Sequence, residues 1–175
     1  MKYEAHDYQT YATNFILEHP IAAILLDMGL GKSVITLTAI NDLLFDSFEI
    51  HKILVVAPLR VARDTWPAEL EKWEHLHGLT YSVAVGTEVQ RKAALLQKAD
   101  IYIINRENVE WLVTKSGMSF DYDMLVVDEL SSFKSYQAKR FRSLSSVRPK
   151  VNRVVGLTGT PSSNGLMDLW AEFRL

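Results

Sequence analysis

The residues best suited to chemistry form a short glycine-bearing segment, Asp27-Met28-Gly29-Leu30-Gly31-Lys32-Ser33, near the start of the chain. It lies between an apolar run, Ile21 to Leu26, and a helix-like segment, Val34 to Phe45. Its glycines let backbone N–H groups and a helix N-terminus point at one anion, while Lys32 adds a positive charge and Ser33 a hydroxyl suited to Mg²⁺. The segment therefore predicts a site for a nucleoside triphosphate. The residues predicted to bind it are Met28, Gly29, Leu30, Gly31, Lys32 and Ser33.

This segment departs from the full Walker pattern, because Leu26 stands where that pattern has its first glycine. One alternative is a plain strand-to-helix turn with a solvated Lys32, which the flanking strand and helix disfavour. Another is a dinucleotide-binding turn, which would need a third glycine at Val34 and an acidic residue after the next strand. That strand ends at Pro58, so the sequence fails both requirements of a nicotinamide site.

The composition is that of a chain that can bury one core. With 175 residues, 48% of them hydrophobic, and no linker-like stretch, the sequence predicts one domain over residues 1–175. The formal net charge of −2 gives no general argument for nucleic acid or membrane, so such a partner must meet a local patch. The absence of cysteine excludes disulfides and thiol chemistry, and no signal peptide or membrane-spanning run is recognisable. We expect a cytoplasmic protein without a membrane partner.

Strand-like and helix-like segments alternate along the chain after a first amphipathic helix that Pro20 closes. Such alternation requires crossover connections and a mostly parallel sheet with helices on both faces. Ligands of such sheets bind beyond the carboxyl ends of the strands, where the polar motifs of this chain fall. The predicted strands are Ile21–Leu26, Ile53–Ala57, Tyr81–Val85, Ile101–Ile104, Met124–Val127 and Val154–Leu157.

Two further motifs stand at predicted strand ends. Asp128 and Glu129 follow an apolar strand, and in a nucleotide site the first carboxylate holds Mg²⁺ while the second orients the attacking water. Taken alone, the pair could equally be acids at a helix N-terminus. The third motif, Gly156 to Pro161, offers the hydroxyls of Thr158 and Thr160 beside a tight turn. We expect all three motifs to share one rim of the sheet.

Together these motifs resemble superfamily-2 helicases (DEAD/DEAH-like), in particular the chromatin-remodeller-like branch of double-stranded DNA translocases. The phosphate segment is similar to motif I of that branch, which also lacks the first Walker glycine. The other motifs follow in the family's order: Ala57-Pro58-Leu59 with Trp66 resembles motif Ia, Asp128-Glu129 with Lys134 resembles motif II, and Leu157-Thr158-Gly159-Thr160-Pro161 with Asn164, Leu169 and Trp170 resembles motif III.

The resemblance implies a three-layer RecA-like P-loop domain that binds ATP and Mg²⁺. Lys32, Asp128 and Glu129 would be catalytic, Ser33 and Asp128 would hold the metal, and Thr158 and Thr160 would couple nucleotide to nucleic acid. Leu130-Ser131 follow the acids where the family commonly has alanine and histidine. That variant is similar to small phage or prophage helicases.

Upstream, Tyr8-Gln9 resembles the family's adenine-reading glutamine motif, whose amide can donate to and accept from the adenine edge. A solvated helix face is the alternative for Gln9. The resemblance also places nucleic-acid contacts in motif Ia and near Asn105. The residues predicted to make them are Pro58, Arg60, Arg63 and Arg106.

Several other residues have plainer interpretations. Seven positive charges between Leu130 and Met167, Arg153 among them, could contact phosphates or could form a solvated helix face. Trp66, Leu70 and Trp73 share a helical stripe typical of a core, and His75 and His77 lack further ligands for a metal.

The family builds its active enzyme from two RecA-like lobes, and the second supplies an arginine finger. The resemblance therefore implies that residues 1–175 are the N-terminal lobe, with the second lobe absent and little activity in isolation. We expect a DNA-dependent ATPase that translocates on or unwinds duplex nucleic acid, with double-stranded DNA and a second lobe as partners. Two alternatives stay open: the translocase lobe of a restriction or nuclease system, and a regulatory nucleotide-binding module without productive turnover.

Overall fold

The structure is a computed structural model that describes residues 1–27, 29–129 and 138–159, with backbone only at 138 and 139. Over these residues strands and α-helices alternate as the sequence predicts. The strands are β1 (Ile21–Leu25), β2 (Ile53–Ala57), β3 (Tyr81–Ala84), β4 (Ile101–Asn105), β5 (Met124–Asp128) and β6 (Arg153–Thr158). The α-helices are α1 (Asp7–Glu18), α2 (Lys32–Phe45), α3 (Trp66–Lys72), α4 (Glu88–Leu96) and α5 (Ala138–Val147).

The strands form one sheet in the order β1-β6-β5-β2-β4-β3. Every pairing is parallel, so the prediction of a mostly parallel sheet is confirmed. The four inner strands β2, β4, β5 and β6 are buried along their whole length, as expected for apolar runs covered on both faces. Because all strands run the same way, the segments that follow β1, β2, β4, β5 and β6 gather at one rim.

Successive residues of each strand enter different cores, because side chains alternate across a sheet. On one face Val55 and Val126 pack with residues of α1, α2 and α3. On the other face Leu54 and Val127 pack with Leu95 of α4 and with Leu144 of α5. Helices therefore cover both faces, and the predicted three-layer α/β arrangement is confirmed.

Arg153 fixes the first helix to the sheet. Its guanidinium donates to the carbonyls of Ile16 at 2.9 Å and Leu17 at 3.1 Å, in the last turn of α1. It also pairs with Glu49 at 3.1 Å, and it is buried. These contacts satisfy carbonyls that a helix end leaves without partners. Arg153 is therefore neither a nucleic-acid contact nor part of a solvated helix face, because its guanidinium is buried and bonded to α1 and Glu49.

No helix within the described residues is long and apolar enough to cross a lipid bilayer.

Candidate functional site

The predicted phosphate loop leaves β1 and enters α2 through two left-handed glycines. Gly29 has φ 86° and Gly31, the N-cap of α2, has φ 83°. Such φ values favour glycine because it has no Cβ. At Gly31 a Cβ would also lie 2.6 Å from Nε2 of Gln9, so the Gln9 side chain would have to shift. The loop thus turns tightly and directs the N-terminus of α2 into the site, as an anion-binding loop requires.

Two side chains of α1 hold this loop from outside. The Tyr8 hydroxyl donates to the carbonyl of Leu30 at 3.0 Å, and Nε2 of Gln9 donates to the same carbonyl at 3.4 Å. Oε1 of Gln9 accepts from the backbone N–H of His6 at 2.9 Å. Gln9 is buried, so the solvated-face interpretation is wrong, and the residue braces the phosphate loop. Its adenine-reading role stays a prediction.

Asp128, the last residue of β5, lies in a buried environment. The residue is 6% exposed, and Oδ2 accepts a hydrogen bond of 3.0 Å from the indole N–H of Trp66. Burial raises the pKa of the Asp128 carboxyl, whereas the indole hydrogen bond and the nearby Lys32 ammonium oppose that rise. The strand, the indole and the lysine together hold one carboxyl group at the rim of the sheet.

Glu129 is the next residue but has different surroundings. Its backbone is left-handed, with φ 58°, which is uncommon for a residue other than glycine. Its Oε1 lies 3.4 Å from Nζ of Lys32, and the two side chains are 33% and 12% exposed. Lys32, from the first turn of α2, therefore contacts one acid and acts electrostatically on the other.

A cleft of about 470 Å³ brings most of the predicted nucleotide residues together. Val61, Thr65 and Glu69, which the sequence did not single out, form its wall beside α3. Leu30 directs its carbonyl to α1 instead, and Met28 lies outside the described residues. The predicted residues that line the cleft are Gln9, Gly29, Gly31, Lys32, Ser33, Asp128 and Glu129.

Of the two predicted coupling residues, only Thr158 is described. It ends β6, is 1% exposed, and accepts a hydrogen bond of 3.1 Å from the N–H of Leu26 through its carbonyl. It therefore ties β6 to the strand that enters the phosphate loop. Thr160 lies outside the described residues.

The chemistry of the cleft fits Mg²⁺ held together with nucleotide phosphates. The hydroxyl of Ser33 and the carboxylate of Asp128 are hard oxygen ligands, which Mg²⁺ prefers. Within the described ranges no three His, Cys, Asp or Glu residues cluster as metal ligands. Mg²⁺ is usually bound through one or two protein ligands plus phosphates and water.

The predicted nucleic-acid residues lie along the same rim but outside the cleft. Pro58 and Arg60 follow β2, and Arg63 lies in the helical turn after them, where it makes a bidentate pair with Asp64 at 2.9 Å. Arg106 follows β4 and lies 3.4 Å from Glu107. Arg60 and Arg63 are exposed, and Arg106 is half-buried. Their contact with nucleic acid stays a prediction.

The tryptophan and histidine predictions have mixed outcomes. Trp66 is fully buried, as a core residue should be, but its indole also reaches Asp128, which helical spacing alone could not indicate. His75 stacks on Tyr3 and its Nε2 lies 2.9 Å from the hydroxyl of Thr38, while His77 contacts the carbonyl of Glu71. Both histidines therefore make structural contacts within the fold.

Comparison with known proteins identifies the family. The model of the SNF2-related domain matches residues 8–175. The chain belongs to the SNF2-related domain family. It is 39% identical over 171 residues to protein p41 of Acyrthosiphon pisum secondary endosymbiont phage 1, with 94% of this chain covered. It is 32% identical over 151 residues, or 83% of this chain, to the nuclear protein STH1/NPS1 of Saccharomyces cerevisiae.

A solved structure supports the fold. The Sulfolobus solfataricus SWI2/SNF2 ATPase core, determined in complex with double-stranded DNA, superposes with a TM-score of 0.80 at 25% identity and covers 99% of this chain. The resemblance to the chromatin-remodeller-like branch is thereby confirmed. The chain spans only part of these proteins: 37% of the phage protein, 11% of the yeast protein and 36% of the Sulfolobus chain.

Proposed function

We propose that residues 1–175 are the ATP-binding N-terminal lobe of a DNA-dependent ATPase that translocates on, or unwinds, duplex nucleic acid. The observation that carries this proposal is the convergence of Lys32, Asp128 and Glu129 beside a glycine loop, in a chain of the SNF2-related domain family. A plain strand-to-helix turn would not need two acids and a lysine at one cleft.

In this proposal each side chain has one task. The loop N–H groups and Lys32 bind the phosphates, because the helix N-terminus and the ammonium both favour negative charge. Ser33 and Asp128 hold Mg²⁺, which neutralises charge on the phosphate oxygens. Glu129 orients the attacking water and accepts its proton. Gln9 braces the phosphate loop through the carbonyl of Leu30, and Thr158 joins β6 to the residue before the loop.

Nucleic acid is proposed as the partner on two grounds. Arg60 and Arg63 are exposed beside the cleft, and a related Sulfolobus protein was determined with double-stranded DNA. Contacts of arginine with phosphates release counterions, so binding should weaken steeply as salt rises.

The proposal also holds that turnover requires a second RecA-like lobe, which agrees with the small share of each relative that this chain spans. An arginine finger is worth roughly 10³- to 10⁵-fold in the turnover of related phosphate-transferring enzymes. We expect slight ATPase activity from the chain alone, and strong stimulation by duplex DNA once it is joined to the second lobe.

The test is phosphate release from ATP by both proteins, with duplex DNA, single-stranded DNA, RNA or no nucleic acid. The Lys32→Ala variant of the joined protein is the control for contaminating ATPases. Stimulation of the joined protein by duplex DNA supports a translocase. Nucleotide binding without stimulated turnover would instead favour the regulatory module, and full DNA-stimulated activity of the chain alone would contradict the need for a second lobe.

A further inference from the structure

Trp66 makes a contact that core packing does not require. The side chain is fully buried, and its indole N–H donates to Oδ2 of Asp128 at 3.0 Å. An indole N–H is a donor without acceptor capacity, and a buried one normally finds a partner. Here the partner is a carboxylate at the end of β5, 62 positions away in sequence.

The backbone before Trp66 adopts an unusual geometry that sets the direction of the indole. Residues Val61–Thr65 form a π-helical turn, which ends with the N–H of Trp66 donating to the carbonyl of Val61. The next residue, Pro67, has no N–H and its ring opposes a regular helix at this point, so a wider turn is favoured. A π turn adds a residue to the helix and rotates the later residues of the helix by about 100°. Single π turns of this kind are frequent at functional sites.

The hydrogen bond orients the Asp128 carboxylate and leaves it able to accept further bonds. Each carboxylate oxygen has two lone-pair directions, so Oδ2 can accept the hydrogen bond of the indole N–H while the carboxylate still binds a cation. The backbone of Glu129 also donates to this carboxyl group, so the indole is one of two donors that restrain its terminal torsion, which is broad in aspartate. Partners that orient a ligating carboxylate in this way are worth about 10- to 100-fold in metal affinity or activity.

We propose that Trp66 is a positioning residue for the metal: its indole holds the Asp128 carboxylate in the orientation that binds Mg²⁺ of a Mg²⁺–nucleotide complex. This inference rests on the proposed function, because it presupposes nucleotide in the cleft. It goes further by assigning a task to a tryptophan that sequence periodicity places in the core.

The chain offers a matched control. Trp111 also donates its indole N–H to a carboxylate, Glu88, at 3.3 Å, but this pair lies on the surface beside α4 and away from the cleft. A tryptophan-to-phenylalanine change removes the same hydrogen bond in both places and keeps an aromatic ring. Trp66→Phe and Trp111→Phe therefore differ in which carboxylate loses its donor.

The experiment is calorimetric titration of ADP into the wild-type chain and both variants, once with Mg²⁺ and once with EDTA. Wild type should gain affinity from Mg²⁺, and Trp111→Phe should keep that gain. Trp66→Phe should lose about 10- to 100-fold of the Mg²⁺-dependent affinity and keep its affinity in EDTA. An equal loss with and without Mg²⁺ would indicate mere packing and would overturn the inference, as would an unchanged Mg²⁺ gain. Absence of any ADP binding by wild type would instead overturn the proposed function.

A spectroscopic measurement on the wild-type side chain covers the case in which Trp66→Phe fails to fold. The chain has four tryptophans, so ¹⁵N-tryptophan labelling gives four indole N–H signals, assigned by phenylalanine substitution of Trp73, Trp111 and Trp170. The Trp66 signal should shift when Mg²⁺ is added to the ADP-bound chain. It should also differ between wild type and Asp128→Asn, while the Trp111 signal stays the same in both comparisons. A Trp66 signal that ignores both changes would refute the positioning role.

Discussion

Asp128 and Glu129 are neighbours in sequence and both lie near Lys32, yet they differ in burial, backbone conformation and hydrogen-bond partner. Asp128 is buried, continues a β-strand and is held by the indole of Trp66. Glu129 is one-third exposed, has a left-handed backbone and faces the ammonium of Lys32 at 3.4 Å. The first acid accepts a hydrogen bond from a rigid neutral donor, and the second pairs with a flexible charge.

This difference explains how two adjacent acids could have separate tasks, one binding the metal and the other orienting water. A metal ligand needs a fixed direction, which a strand end and an indole provide. A group that orients water and takes a proton must reach a substrate that arrives later, and backbone strain at such positions is common in functional sites. When phosphate binds Lys32, the ammonium can exchange Glu129 for the new anion, whereas Asp128 keeps its hydrogen bond to Trp66.

The largest expected effect separates the two acids by activity. In the protein joined to its second lobe, Glu129→Gln should leave nucleotide binding nearly intact and reduce hydrolysis by about 10²- to 10⁴-fold, because an amide cannot accept the proton of water. Asp128→Asn should instead weaken the binding that depends on Mg²⁺. Phosphate release and calorimetry with and without EDTA measure the two properties on the same preparations.

If Asp128→Asn stopped hydrolysis with binding intact, and Glu129→Gln weakened the binding that depends on Mg²⁺, the two roles would have to be reversed. Equal retention of hydrolysis by both variants would remove the acids from the mechanism altogether. Circular dichroism of each variant ensures that the comparison concerns folded protein.

A smaller effect separates the two acids by stability. Burial of the Asp128 carboxylate has a desolvation cost, so Asp128→Asn should raise the free energy of unfolding at neutral pH by about 1 to 3 kcal/mol. Glu129→Gln should change it by less than about 1 kcal/mol, because partly exposed ion pairs contribute little. Urea unfolding of the chain alone measures both. A destabilised Asp128→Asn would mean that the carboxylate is better compensated than its burial indicates.

The sequence predicted the fold because its strand-like runs are short, apolar and regularly separated by helices. All six predicted strands are present, with ends that differ by at most one residue from the prediction. The convergence of the Gly29 to Ser33 loop and the two acids in one cleft was predictable because each follows a strand of one parallel sheet.

Contacts between distant segments could not be predicted in this way. Periodicity places Trp66 in the core but does not say that the residue follows a π turn or that its indole donates to Asp128. Likewise, residue type alone made Arg153 one of several positive charges. In the structure it lies in β6 and donates to carbonyls at the end of α1. Both contacts depend on how elements far apart in sequence meet.

The central claim is that the loop before α2 binds nucleotide phosphates with the help of Lys32. The most direct measurement is calorimetric titration of ATP with Mg²⁺ into the wild-type chain and Lys32→Ala, each checked by circular dichroism for intact structure. We predict binding by wild type and a loss of about 10- to 100-fold in the variant, the expected value of hydrogen bonds from a charged donor. Equal affinity of the two folded proteins would contradict the assignment of this loop as the phosphate site.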